Sequence, residues 1–128
     1  MNAAELTTVE LITRLRAWAE GYLPGMAAVE LLIAHSHWLT SPGFLALVTI
    51  DNSCLSGTPM ASIDWDALAW KDDRRPPVIG SDSELAVLAV ACSIGGGEAV
   101  DLQQVVLSLD SRNIQLVVNT LLMANGRR

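Results

Sequence analysis

Residues Leu85 to Ile94 form the most apolar stretch of the chain, with no charge and a single hydroxyl, and their alanine content and length predict a helix. Leu85, Leu88, Ala89 and Cys92 fall on one side at helical spacing, while Val87, Ala91 and Ile94 fall on the other. A helix apolar all round is a buried one, so this segment is the expected centre of the core. Ser81-x-x-Glu84 is a capping box that starts it, and the run Gly95-Gly96-Gly97 is expected to stop it.

The remaining elements read as covers for that centre. Thr7-x-x-Glu10 is another capping box, after which Leu11, Ile12, Leu15, Trp18, Ala19 and Tyr22 share one face. Arg14 and Arg16 lie on the opposite, solvated face, at i,i+4 from Glu10 and Glu20. Pro24-Gly25 interrupts the pattern, and a second helix is expected from Met26 to Trp38. Met26, Val29, Leu32, Ile33 and Ser36 line one of its sides and Leu31 and His35 the other, so it is a helix covered twice. Ser41-Pro42 caps a short third helix whose Phe44, Leu47 and Val48 fall at i, i+3, i+4.

Asp51 to Met60, rich in Asp, Asn, Ser, Gly and Pro, is a loop. Ala61, Ile63 and Trp65 alternate with polar neighbours as in a strand, yet Asp64 can equally cap a short helix through Trp70. The helix is the favoured reading, with at most one short strand or hairpin near residues 59–65. Residues 71–81 carry Asp-Asp-Arg-Arg-Pro-Pro and read as an exposed linker. Asp101-x-x-Gln104 caps a helix with core positions Leu102, Val105, Val106 and Leu109. Asp110 caps the last helix, where Ile114, Val117, Val118, Leu121 and Leu122 give the cleanest stripe in the chain before Gly126. The sum is an all-α, single-domain bundle of about six helices over residues 1–128.

Composition narrows the function classes. With 51% apolar and 17% charged residues the chain is globular rather than disordered, and 128 residues suit one core. A formal charge of −6 disfavours phosphate backbones and anionic membranes. The uncharged run from Leu31 to Ile50 is long enough to span a bilayer, but two histidines, hydroxyls and Pro42-Gly43 make it two buried helices and a turn, so no membrane is expected. Cys54 and Cys92 have no zinc-like spacing and read as free thiols in a reducing cytoplasm. The N-terminus does not resemble a secretory signal.

One resemblance is carried by Ile63-Asp64-Trp65-Asp66-Ala67, by Leu88 to Ile94 with Gly97, by Val100-Asp101-Leu102, and by Leu109-Asp110, Asn113, Leu116-Val117, Ala124 and Gly126. These residues resemble a group of short actinobacterial proteins of uncharacterised activity, over most of the chain from Leu11 onward. The resemblance implies a shared fold and an actinobacterial or actinophage source, and it implies no activity or cofactor. Asp64, Trp65 and Asp66 look like the group's signature. Their bland reading is that Asp64 caps and Trp65 packs; the functional one is a partner or ligand contact.

No catalytic, cofactor or metal motif stands out. His35 and His37, two apart on a continuous helix, would point about 200° apart and could not share an ion. Cys92 in a buried helix is an inert thiol. The glycine run lacks the Gly-Lys-Ser/Thr of a phosphate cradle. Asp64, Asp66, Asp72 and Asp73 do not match a calcium loop. Two capped helices joined at Leu109-Asp110 resemble a helix-turn-helix, which would put Ser111, Arg112, Asn113 and Gln115 against bases, but the basic face that phosphate contacts need is absent. Leu107, Leu116 and Met123 fall off the expected core faces and are the candidate partner surface. The favoured expectation is a small non-enzymatic regulatory or adaptor protein, of phage or mobile-element origin, that acts on a protein partner or its own copy. A DNA-binding regulator is the alternative, and an unrecognised enzyme the third reading.

Overall fold

The computed structural model describes residues 2–52 and 57–127. Cys54 and the middle of the expected 51–60 loop lie outside the described residues. The chain is mostly helical, with seven α-helices and one two-stranded antiparallel sheet among the described residues. In order they are α1 (Thr8–Ala19), α2 (Leu23–His35), α3 (Pro42–Leu45), β1 (Val48–Asp51), β2 (Met60–Ile63), α4 (Trp65–Leu68), α5 (Asp82–Gly96), α6 (Leu102–Ser108) and α7 (Ser111–Ala124). Two 3-10 turns, Ala3–Glu5 and His37–Thr40, complete the set.

The capping residues act where their spacing places them. The side chains of Thr7 and Ser81 accept from the backbone of Glu10 and Glu84, whose carboxylates return the bond, and Asp101 and Asp110 cap α6 and α7. Each such cap contributes about 1 kcal/mol.

Two helices, not one, form the centre. Helix α5 buries Ala86, Val87, Leu88, Val90, Ala91 and Cys92, and α2 buries Ala27, Ala28, Val29, Leu31, Leu32 and His35. They pack on each other. Helix α7 packs on both, α6 and α4 lie on α5, and α1 lies against α2 and the hairpin rather than against α5. Helix α2 starts at Leu23, earlier than expected. Pro24 stands in its first turn, where the missing N–H would have no partner anyway, so the proline opens the helix instead of interrupting it.

The stretch around residues 48–65 departs from the favoured helical reading. Val48 is not part of a third helix but begins β1, which pairs Val48 with Ile63 and Asp51 with Met60. The two readings of 61–70 are both realised in succession. Ala61 and Ile63 alternate inward on β2, and Asp64 then caps α4, its Oδ1 accepting the Ala67 N–H at 3.0 Å. Alternation ends where the cap begins, and only the pairing with β1 says that the strand comes first. Most of residues 71–81 is exposed, but Pro76 is buried and Val78 packs on the core.

The glycine run is more than a stop. Gly97 (φ +71) does end α5 in the left-handed conformation, but Gly95 and Gly96 belong to the helix and lie under the indole of Trp65.

Candidate functional site

The outer surface of α6 and α7 differs from the pattern the sequence suggests. On α7 the buried residues are Asn113, Val117 and Thr120, and Leu116 packs on the core. Ile114, Val118, Leu121 and Leu122 are exposed, at 37%, 41%, 54% and 43%. The helix is therefore rotated, so that its most regular apolar stripe faces outward while a mixed polar–apolar face packs inward. On α6 only Val105 is fully buried; Leu102, Val106 and Leu107 are 63%, 55% and 75% exposed. Of the three predicted surface residues, Leu107 stands on the outside. Leu116 packs on the core instead, and Met123 is half-buried.

A polar anchor explains the rotation. The Asn113 side chain donates to Ser83 Oγ at 2.8 Å, and the Asp110 backbone N–H donates to the same oxygen at 3.1 Å. Thr120, also buried, donates to the Leu116 carbonyl one turn back at 2.8 Å. Inward polar groups are tolerated because they are hydrogen-bonded, and once Asn113 faces α5, the stripe beginning at Ile114 must face away. No period in the sequence reveals this. The one available signal is the polar set Asn113, Thr120 at a spacing of seven, two turns of one face.

The proposed base contacts are divided by the same anchor. Ser111, Arg112 and Gln115 are exposed, whereas Asn113 is buried on Ser83 and Gln115 bonds Asn119 at 3.0 Å. The signature residues resolve into three local roles. Asp64 caps α4. Trp65 is buried, with its ring 6.1 Å from that of Trp18 and its indole over Gly95 and Gly96. Asp66 is exposed and pairs with Lys71 at 3.1 Å, and Lys71 also binds Glu98.

A second cluster sits where α2 ends. Ser36 adopts φ +68, the single positive φ outside glycine among the described residues. The turn ends the helix and swings His37 back, so the two imidazoles, expected on opposite sides, lie 6.1 Å apart. His37 Nδ1 contacts Glu84 Oε2 at 3.0 Å, and the buried Trp38 donates its Nε1–H to the Glu84 carbonyl at 3.2 Å. His35 Nδ1 and His37 Nε2 are the buried side-chain atoms without a hydrogen bond among the described residues. Burial holds His35 below its ordinary range, with the neighbouring His37 adding to the effect. The described residues bring together no group of three side chains able to hold a metal ion.

Open surface clefts stand out at two places among the described residues. One, of about 380 Å³ between α1 and α2, is crossed by a bidentate Arg16–Glu30 pair at 2.9 Å. Arg16 thus pairs across helices rather than with Glu20 along its own. The other, of about 340 Å³, lies between His37, Pro42 and Val78. Burial pushes the Cys92 thiol up to about 12, which keeps it protonated. No helix among the described residues is long and apolar enough to cross a membrane. No family model, curated protein or solved structure matches the chain.

Proposed function

We propose that this chain is a small contact protein, non-enzymatic and cytoplasmic, which works as a dimer formed through the outer faces of α6 and α7. The observation that carries the proposal is the outward apolar stripe Ile114, Val118, Leu121, Leu122, with Leu102, Val106 and Leu107 on the preceding helix. Together these side chains expose on the order of 600 Å² of apolar surface, the upper end of what a monomer shows. It is enough to supply the apolar share, about 500 Å², of the roughly 800 Å² each subunit contributes to a standard interface.

Charge favours a second copy as the occupant. Of the fourteen acidic residues only Asp101 and Asp110 fall after residue 100, where Arg112, Arg127 and Arg128 balance them. Two molecules of net charge −6 repel almost everywhere else; here they can meet without opposing like charges. The spacing of Ile114, Val118 and Leu121, four then three, is that of a helix–helix seam.

Sedimentation or light scattering across a concentration series tests this. A dimer is expected that dissociates in Val118→Lys/Leu121→Lys while the helical circular dichroism stays unchanged. A strict monomer at high concentration, or a dimer indifferent to both lysines, overturns the proposal.

A further inference from the structure

We propose that His35, His37 and Glu84 form an acid-sensitive latch that holds the start of α7 against α2 and α5. The three side chains meet at a junction of four elements: His35 closes α2, His37 opens the 3-10 turn, Glu84 lies in the first turn of α5, and Asp110 and Arg112 stand at the start of α7. His35 is 5% exposed with Nδ1 unbonded, and among the described residues the carboxylate within ion-pair distance of the pair, Glu84, touches His37 instead.

A proton on His35 therefore has no carboxylate in contact. Burial opposes it most, and His37 and Arg112 add to that; Glu84 and Asp110 favour it from a distance. The closed junction accordingly binds His35 in its neutral form, whereas an opened one exposes a histidine of ordinary pKa, about 6.5. The folded value is depressed, so the stabilisation is complete above about pH 6.5 and is lost as pH falls from there through the folded value. Across that interval the ratio of open to closed junction rises up to about tenfold per pH unit.

Glu84 titrates in a different window. Hydrogen bonds from the Ser81 backbone, with His37 nearby, hold it below the ordinary carboxylate range. Mild acid thus acts on His35 before it reaches Glu84.

What opens is set by the neighbouring hydrogen bonds. Both ties of the α7 start, from the Asp110 N–H and the Asn113 amide, end on Ser83, the residue before Glu84. A hydrated, protonated His35 displaces this corner and frees the first turn of α7. Ser36, held at positive φ beside the pair, stores strain that opening relieves. The consequence for association rests on the dimer proposal, because α7 carries its seam.

Hydrogen exchange read by mass spectrometry on the whole protein tests the latch. After correction for intrinsic rates, protection of the Asp110–Val117 amides is expected to fall up to about fivefold from pH 6.5 to 5.5 while that of α1 holds. His35→Asn and, as a shape-filling second variant, His35→Phe are expected to lose the pH step. An equal step in either variant, a step of the same size in α1, or no step in the wild type overturns the latch. Should neither variant fold, the His35 imidazole shifts of the wild type decide: a midpoint near 6.5, or one with no parallel change in α7 amides, overturns it. Light scattering at pH 7.5 is independent. A monomer there sinks the dimer alone, and a dimer whose α7 ignores pH sinks the latch alone.

Discussion

Trp65 occupies the space that a side chain on Gly96 would need. A Cβ there would lie 2.7 Å from Trp65 Cγ and 2.9 Å from Cδ1, and one on Gly95 would lie 2.7 Å from Cζ2 and 2.9 Å from the Ala28 Cβ. Gly96→Ala is expected to cost about 1–3 kcal/mol through overpacking, although alanine is intrinsically the better helix former by about 1 kcal/mol. In a Trp65→Leu background most of that cost should vanish. Urea unfolding of the two single variants and the double reads the coupling, and a neutral Gly96→Ala would refute the contact.

The rotation of α7 separates two leucines that a helical wheel treats alike. Leu116→Asp puts a carboxylate against the core and should cost roughly 2 kcal/mol or more. Leu121→Asp, on a residue 54% exposed, should leave the stability of the monomer within about 0.5 kcal/mol. Thermal melts of the two variants under dilute conditions check the orientation, and the reverse ranking would restore the outward position expected for Leu116.

Ser36 takes a backbone conformation that costs a residue with a Cβ about 1–2 kcal/mol, and glycine adopts it freely at some expense of unfolded-state entropy. Ser36→Gly is therefore expected to raise stability by up to about 1 kcal/mol. Denaturant midpoints check this; a loss of stability would show that the hydroxyl matters more than the turn.

Cys92 is fully buried, with its thiol pushed up to about 12. Its alkylation at pH 8 should proceed only through opening of α5, and so accelerate steeply with urea. Mass spectrometry of the peptide that holds Cys92 gives the rate. Fast modification in buffer alone would contradict the burial.

Much of the fold was legible because it is encoded locally. Thr7, Ser81, Asp101 and Asp110 announce helix starts, since a cap needs only residues three apart. Leu85 to Ile94 announces a buried helix, since an apolar surface on all sides has nowhere else to go. The strand Val48–Asp51 was not legible, because Phe44, Leu47 and Val48 satisfy helical spacing and only pairing with Met60–Ile63, across the loop, makes the stretch extended. The role of Gly95 and Gly96 was hidden likewise. A glycine run reads as a stop whether or not an indole lies on it.

By itself, then, the sequence determined an acidic, mostly helical single domain, its helix starts and its buried α5, all properties set by neighbours within a turn or two. Only the tertiary structure decided that α2 shares the centre, that His35 and His37 meet, and which side of α7 faces out. Periodicity measures how apolar a face is, but not which face wins the core. In α7 two hydrogen bonds to Ser83, thirty and twenty-seven residues away, settle that choice and leave the more apolar stripe exposed.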